Sequence, residues 1–523
     1  METVLQSPES TLDGVARFAA AEPDRPAIIL ADSDSRMTYG ALHARSARLA
    51  HFLSARLDVG AVVAILLSNR LEYFEAVFAA RRAGVYYVPI STHLTPGEID
   101  HILRDSGARL LLTESALRPW PDIGHAPATL ERVICIDADA EIAPGLSYSA
   151  LLDAGSDIPS LPDRPLGLDF SYSSGTTGRP KGIKHDLADQ ELRKALAGDW
   201  LSFFAFDPRS VYLSPAPLYH AAPLRFSVRC LAQGGTVIVL PRFDAQAALA
   251  AIERYRVTHS QWVPTMFIRM LALPAECRSM HDLSSHRLAL HAAAPCPPQV
   301  KRQMIDWWGP IVWEYYSGSE RAGATAISAE EWLAHPGSVG RAKQGRLHIV
   351  DADGRECPPM QDGLVCFEGG PTFAYHNDSA KTAESHTPEG WATFGDIGHV
   401  DRDGYLYLTD RRANMIISGG VNVYPQEAET LLQDHPLVHD VAVIGVPHPE
   451  FGEEVKAVVE LKASAPADAA TAQRLMDYCR ERLSSIKCPR SIDFATDLPR
   501  TETGKLLKRE IRDRYRAAAK TSA

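Results

Sequence analysis

Between Ala61 and Thr113 the spacing of apolar residues changes period twice. Ala61 to Leu67 is a short run of β-forming apolar residues, and from Leu71 the apolar positions fall at Leu71, Phe74, Val77 and Phe78, the spacing of one helix face. Asn69 with Glu72 three residues on predicts a capping box at the start of that helix, and Gly84 predicts its end. Tyr86 to Ile90 reads as the next strand. The unit then repeats: Thr95 caps, Pro96 takes the first helical position, Glu98 closes the box, and Ile99, Ile102 and Leu103 form a buried stripe up to Gly107. Ala108 to Thr113 is strand again. Alternation of this kind predicts an α/β fold with parallel sheets covered by helices on both faces. A similar unit recurs at residues 235 to 265, where Gly234-Gly235 precedes a strand Thr236 to Leu240 and a helix runs from Ala245 to Tyr255.

Beyond about residue 340 the pattern shifts to short alternating strands, Arg346 to Val350 and Gly363 to Phe367, bounded by Asp353-Gly354 and Gly369-Gly370, which predicts a small antiparallel β unit. After residue 410 the chain reads as a compact α+β segment. Its elements are a helix from Pro425 to Leu432, strands Val441 to Val446 and Lys456 to Leu461, a helix from Ala472 to Leu483 and a basic tail helix from Leu506. The expected organisation is a large N-terminal domain, residues 1–410, and a smaller C-terminal domain, residues 411–523.

A chain of 523 residues is too long for one hydrophobic core, and 45% hydrophobic with 23% charged residues is ordinary for a soluble globular protein. The formal net charge of −11, with no concentrated basic stretch before the C-terminal end, argues against nucleic acid as the main partner. Eight cysteines are scattered without a Cys-x-x-Cys pair or a metal-binding His spacing, which fits a reducing compartment. Met1 to Ser10 lacks the basic and apolar order of a signal peptide, and no run approaches the ~20 apolar residues of a membrane span, so a cytoplasmic location is expected. A homo-oligomer is compatible with the sequence and not specified by it.

Residues 171 to 182 read Ser-Tyr-Ser-Ser-Gly-Thr-Thr-Gly-Arg-Pro-Lys-Gly. Gly175, Gly178 and Gly182 let backbone N–H groups approach an anion, Ser173, Ser174, Thr176 and Thr177 add hydroxyls, and Lys181 adds charge. The spacing is not that of a Walker P-loop, and by itself such a run fits a flexible loop as well as a phosphate cradle. Four more segments resolve the choice. Tyr316-Ser317-Gly318-Ser319-Glu320, Gly395-Asp396-Ile397-Gly398 with Asp410-Arg411, Ser418-Gly419-Gly420-Val421-Asn422-Val423-Tyr424-Pro425, and Pro499-Arg500-Thr501-Glu502-Thr503-Gly504-Lys505 together resemble, in order, the motifs of the acyl-adenylate-forming superfamily. That superfamily contains acyl- and aryl-CoA synthetases, luciferases and nonribosomal-peptide adenylation domains, and the resemblance runs from about residue 20 to 515.

The resemblance implies an AMP-forming acyl-CoA synthetase that uses ATP, Mg²⁺ and coenzyme A on a small-molecule carboxylic acid. A carboxylate attacks the α-phosphorus of ATP, so two anions must be brought together and positioning with fixed positive charge supplies most of the catalysis. Lys505 is expected to bridge those anions from a mobile C-terminal domain. Tyr316 is expected to offer a flat face to adenine against the small residues Ala293 and Ala294, which read equally well as an Ala-rich helix end. Ser319 keeps a hydroxyl in the adenine and magnesium motif, Asp396 takes the ribose hydroxyls, and Arg411 reaches ribose and phosphates. Glu320, with Thr177, is expected to hold Mg²⁺.

Pro217-Leu218-Tyr219-His220-Ala221-Ala222-Pro223 matches the segment that borders the acid, so His220 is expected to orient the carboxylate. Phe226, Val263 and Gly318 are expected to line the acyl pocket, with Gly318 leaving room for a medium or long aliphatic or alicyclic chain. Gly419 and Gly420 offer a side-chain-free edge for the pantetheine arm. For Phe451 two readings stand, an aromatic against the CoA adenine or a packing residue. Ala413 departs from the Asp or Lys usual at the hinge, which moves the hinge to a neighbour or shifts the balance of the two conformations. The rival readings are a free-standing enzyme that loads a carrier protein and a non-catalytic nucleotide-binding relative.

Overall fold

The two strand–helix–strand units of the first hundred residues build a sheet of their own. Its strand order is Tyr86–Pro89, Val62–Leu66, Leu110–Thr113, Arg132–Cys135, and every neighbouring pair is parallel. The computed structural model describes residues 13–117, 127–137, 147–152, 160, 162–173, 180–197, 204–411, 414–418, 421–448, 451–463, 465–500 and 506–521. The helix Pro96–Ser106 carries the expected box: the Thr95 side chain accepts from Glu98 N, the Glu98 carboxylate accepts from Thr95 N, and Gly107 at φ +64° ends it.

The other expected box is not formed. Arg70 occupies the cap of the helix Leu71–Arg82 without a side-chain bond. The Asn69 amide instead donates to the carbonyls of Ala216 at 3.2 Å and Leu240 at 2.8 Å, and its oxygen accepts from Leu218 N at 2.8 Å. One amide group thereby satisfies three backbone groups at the ends of distant strands, where a cap would satisfy one.

The third unit, which contains Thr236–Val239, joins a different sheet of nine strands. Its order is Arg341–Gln344, Ala324–Ile327, Val312–Ser317, Leu288–His291, His259–Trp262, Val211–Ser214, Thr236–Val239, Pro26–Leu30, Arg36–Thr38. The six strands from Val312–Ser317 to Pro26–Leu30 are parallel, and the sheet turns antiparallel at both ends. Period-two burial places its two faces in separate cores. Val237 and Val239 pack with Phe74 and Val77 between the two sheets, whereas Ile238 packs with Leu249, Ile252 and Phe267 on the opposite side. The helix Ala245–Tyr255 has the expected bounds, and Asp244 caps it by accepting from Ala247 N.

Three antiparallel or mixed sheets complete the structure. Ser171–Ser173, Lys181–Lys184 and Ala374–Tyr375 form a small one. Arg346–Val350, Gly363–Glu368, Ala392–Val400 and Leu406–Arg411 form the antiparallel unit read from the alternating pattern. Strands between Ile416 and Ala495 make a five-stranded sheet with its own apolar core around Val443, Val459 and Leu475. The helix expected at Ala472 begins three residues earlier, at Ala469, because Asp468 caps it through Thr471 N. No helix among the described residues is long and apolar enough to cross a membrane.

Candidate active site

Four neighbouring strands, Val211–Ser214, His259–Trp262, Leu288–His291 and Val312–Ser317, run parallel, so the segments leaving their C-terminal ends lie along one rim. Open parallel sheets bind ligands at that edge. His220, Val263, Ala293 with Ala294, and Tyr316 to Glu320 all lie on or just after these ends. Sequence segments about a hundred residues apart are thus gathered by sheet order.

Tyr316, Asp396 and Arg411 form one chain of polar contacts. The strands Ala392–Val400 and Leu406–Arg411 pair with Asp396 directly opposite Arg411. Tyr316 Oη donates to Asp396 Oδ2 at 2.6 Å, and Arg411 Nε lies 3.1 Å from Asp396 Oδ1. Burial and the Asp396 carboxylate push the Tyr316 phenol well above its usual range, so it stays a donor. The Tyr316 ring meets Phe394 nearly edge-on, with centroids 5.7 Å apart, and Phe367 at 6.3 Å. Asp396 is buried, while the Arg411 side chain is 47% exposed. A carboxylate oxygen has room for two donors, so Asp396 keeps capacity for sugar hydroxyls.

Glu320 is aimed by a tyrosine. Tyr375, on the strand that pairs with Lys181–Lys184, donates its hydroxyl to Glu320 Oε1 at 2.6 Å. A Cβ on Gly318 would stand 2.4 Å from Glu320 Oε2 and 2.6 Å from Phe394 Cε1. The space left by this glycine is therefore taken by Glu320 and Phe394, and the expectation that it opens an acyl pocket is corrected. Ser317 Oγ donates to Gly323 O at 2.7 Å, and Ser319 presents its carbonyl to Arg225. Lys181 Nζ is paired with Asp378 Oδ2 at 2.7 Å, and Asp378 also caps the short helix Ser379–Glu384.

His220 sits at the cap of the helix Ala221–Ala232 without capping it. Its ring packs against Tyr219 with centroids 4.6 Å apart, and its buried Nε2 has no hydrogen-bond partner. Burial, helped by His93, pulls its pKa down to about 4, so the imidazole is neutral at pH 7. A buried ring nitrogen without a partner is what a hydrogen-bonding ligand atom would satisfy. Phe226 is buried among Phe204, Tyr212 and Tyr315, and Val263 lies at the start of the helix Pro264–Leu271. Ala293 is exposed with φ +79°, a conformation disfavoured for a residue with a Cβ, and Ala294 is half-buried.

Ser174, Gly175, Thr176, Thr177 and Gly178 lie outside the described residues, as do Ala413, Gly419, Gly420 and Lys505. Ser173 ends its strand opposite Lys181. Gly419 and Gly420 fall between the paired Ser418 and Val421, and Lys505 falls between the bridged Arg500 and Leu506. Phe451 packs on His448 with centroids 4.7 Å apart, and the Arg490 guanidinium lies 4.4 Å from its ring centre. The one group of three potential metal ligands among the described residues is His335, Asp401 and Asp403, which includes none of the expected ligands. Glu320 offers a carboxylate to a hard cation, as a Mg²⁺ shared with ATP phosphates requires.

Three charged residues that sequence reasoning passed over join these segments. Asp169, only 4% exposed, receives Arg225 Nη2 at 2.7 Å and Arg321 Nη2 on its other oxygen. Arg225 Nη2 also donates to Ser319 O at 3.1 Å, which ties the helix behind His220 to the residue before Glu320. The paired guanidinium groups hold the Asp169 carboxyl far below the usual carboxylate range despite its burial. Each of the three is a charge inside or beside an otherwise apolar run, and that was the available signal.

Comparison with known proteins gives a consistent picture. Residues 15–374 match the AMP-binding enzyme family, and residues 427–505 match the AMP-binding enzyme C-terminal domain. The chain is 36% identical over 491 residues to a feruloyl-CoA synthase of Amycolatopsis sp., covering 92% of this chain and 94% of that protein. It is 31% identical over 505 residues to a long-chain-fatty-acid–CoA ligase of Mycobacterium tuberculosis, covering 95% and 97%. The solved structure of o-succinylbenzoate CoA synthetase from Bacillus subtilis, in complex with its acyl-adenylate intermediate, superposes with a TM-score of 0.79 at 28% identity, over 96% of this chain and 98% of that one.

Proposed function

The chain belongs to the family of AMP-binding enzymes, and on that premise we propose that it is an ATP-dependent carboxylate–CoA ligase working in two steps. In the first, a carboxylate oxygen attacks the α-phosphorus of ATP and pyrophosphate leaves, giving an acyl adenylate. In the second, the sulfur of CoA attacks the acyl carbon, its proton is released and AMP leaves. Relatives named as feruloyl-CoA, fatty-acid–CoA and 2-succinylbenzoate–CoA ligases support CoA as the acceptor.

The observation that carries this reading is the bond from Arg225 to the Ser319 carbonyl. It joins the helix that starts at His220, assigned to the acid, to the loop that holds Glu320, assigned to the nucleotide. Tyr316 and Asp396 bind adenosine, with Asp396 fixed by Tyr316 and Arg411 so that its remaining lone pairs face the ribose. His220, neutral and with Nε2 unpaired, offers a hydrogen bond to the carboxylate without cancelling the charge that makes it nucleophilic. Glu320 with Thr177 would hold Mg²⁺, which when bound neutralises phosphate charge. The loop Ser173 to Lys181 cradles the phosphates, and Lys505 neutralises the approaching anions.

We further propose that residues 411–523 move as a domain between the steps, removing Lys505 and bringing Gly419 and Gly420 to the adenylate. The acid is of medium or long chain, aliphatic or alicyclic. Phe226 and Val263 supply apolar wall, with the Tyr315 ring packed on Phe226. Pyrophosphate release over a panel of carboxylic acids, with and without CoA, tests the proposal. Acid-dependent pyrophosphate and acyl-CoA are expected, with Lys505→Ala abolishing the first step and sparing thioester formation from synthetic acyl-AMP. Pyrophosphate without thioester would give the carrier-protein reading the lead, and ATP binding without pyrophosphate would refute catalysis.

A further inference from the structure

The Asp169 carboxylate is engaged by four donors. Oδ2 accepts from Ser171 Oγ at 2.9 Å, Arg225 Nε at 3.1 Å and Arg225 Nη2 at 2.7 Å, and Oδ1 accepts from Arg321 Nη2. Three of the four donors crowd Oδ2 and one takes Oδ1. Two guanidinium groups nevertheless share this one carboxylate, and each carries five N–H donors. Arg225 spends one further bond on Ser319 O, and the buried Arg321 Nε has no partner.

Among the described residues no carboxylate other than Asp169 pairs with Arg225 or Arg321. His185 is neutral, its pKa pulled down to about 4 by burial. Arg81 contributes positive charge to the same neighbourhood, which together with burial and Arg225 lowers the Arg321 pKa to about 10. Glu320, next to Arg321 in sequence, has Oε1 engaged by Tyr375. The pair is not sealed off either, because the Arg225 and Arg321 side chains are 24% and 13% exposed. Arg321 is held at φ +59°, so its placement costs backbone energy that an extended loop would avoid.

We propose that Arg225 and Arg321 bind a second anionic group, a carboxylate or sulfonate, carried by the acid substrate at the end remote from the reacting carboxylate. The inference rests on the ligase reading and narrows its substrate class. Arg225 stands five residues beyond the cap residue His220, about 7.5 Å along the helix axis and roughly 140° around it, and it closes the gap between that helix and the Gly318 to Glu320 loop. A diacid with several atoms between its acidic groups spans such an offset. The uncompensated guanidinium charge has a partner only when such an acid is bound, and an uncharged acyl tail would leave it unmatched.

The test pairs acids of equal skeleton in the pyrophosphate-release assay on the full chain: hexanoate with adipate, heptanoate with pimelate, and 4-methylbenzoate with terephthalate, with the matching ω-sulfonate as a second dianion in each set. The dianionic member is expected to have a kcat/KM at least tenfold higher in at least one pair. Arg225→Gln is expected to raise its KM on the order of thirtyfold and to lower the dianion-to-monoanion ratio of kcat/KM on the order of tenfold, a ratio that a disturbance of the Glu320 loop through Ser319, common to both acids, leaves in place. Arg225→Lys, which keeps charge, should restore part of the loss. Preference for monoanions throughout would overturn the inference and leave the ligase reading standing. So would an Arg225→Gln effect on the KM for ATP alone, which would assign the pair to nucleotide phosphates. Absence of pyrophosphate with every acid would remove both. If Arg225→Gln does not fold, Arg321→Gln gives the same comparison from the other guanidinium.

Discussion

Tyr316 donates its hydroxyl to Asp396 Oδ2 at 2.6 Å, so the residue assigned to adenine also orients the residue assigned to ribose. Phenylalanine at 316 keeps the ring and removes the bond. The loss of one such hydrogen bond is worth about 1 kcal/mol, and the KM for ATP in Tyr316→Phe should rise about fivefold with kcat little changed. Asp396→Asn also removes the charge that holds Arg411, and its KM for ATP should rise about thirtyfold or more. Equal effects of the two variants in steady-state pyrophosphate release would show that the tyrosine does more than orient Asp396.

Gly318→Ala puts a methyl group where the Glu320 carboxylate and Phe394 now lie. The Glu320 carboxylate must shift by up to about an ångström, and misplacement of that size costs about a hundredfold in a positioned reaction. Adenylation kcat should fall by that order, and thioester formation from synthetic acyl-AMP should be spared. A rise in KM for long acids with adenylation kcat preserved would return Gly318 to the acyl pocket.

The parts of the fold carried by local chemistry were legible in the chain. Thr95, Pro96 and Glu98 name their helix start because cap and helix are three residues apart, and Val237, Ile238 and Val239 show their two-sided burial by type alone. What was not legible depends on partners distant in sequence. Asn69 reads as a cap until the carbonyls of Ala216 and Leu240 arrive beside it. Sheet membership was illegible for the same reason, since nothing in a strand–helix–strand unit says which sheet it joins. The ordered motifs named Tyr316, Glu320, Asp396 and Arg411, and the structure brings Tyr316, Asp396 and Arg411 into one chain of contacts. Asp169, Arg225 and Arg321 could be seen only as charges in apolar company, because the triad exists only once three elements meet.

Among the histidines kept neutral by burial are His185, His220 and His259 at about 4, and His286 at about 3. In the unfolded chain a histidine titrates near pH 6.5, so between about pH 6.5 and pH 4 the unfolded state binds more protons than the folded one. Stability should therefore fall as the pH drops through that window and, for these groups, stay level above it. Each contributes a slope of up to about 1.4 kcal/mol per pH unit. Urea unfolding across the window measures the total, and His259→Leu should reduce the slope by about one proton. A slope unchanged by that variant would show that His259 is protonated in the folded state.

Lys301 Nζ lies 2.5 Å from Glu314 Oε2 with both side chains buried, one on the helix Pro298–Trp308 and the other two residues before Tyr316. Burial pushes the Glu314 carboxyl up while Lys301 opposes the shift, and the nearby His291 is kept neutral by burial and by the lysine. Lys301→Met leaves Glu314 buried without its cation, a change that costs about 3–5 kcal/mol in comparable pairs. The deficit should grow as the pH rises above the ordinary glutamate value, because the unpaired Glu314 then stays protonated in the folded state while it ionises in the unfolded one. Lys301→Met combined with Glu314→Leu removes both charges and should recover most of the loss. Urea unfolding of the three variants at acid and neutral pH checks this. A double variant no more stable than Lys301→Met would mean that Lys301 contributes through another contact, the one in view being its ammonium 4.9 Å from the centre of the Trp332 ring.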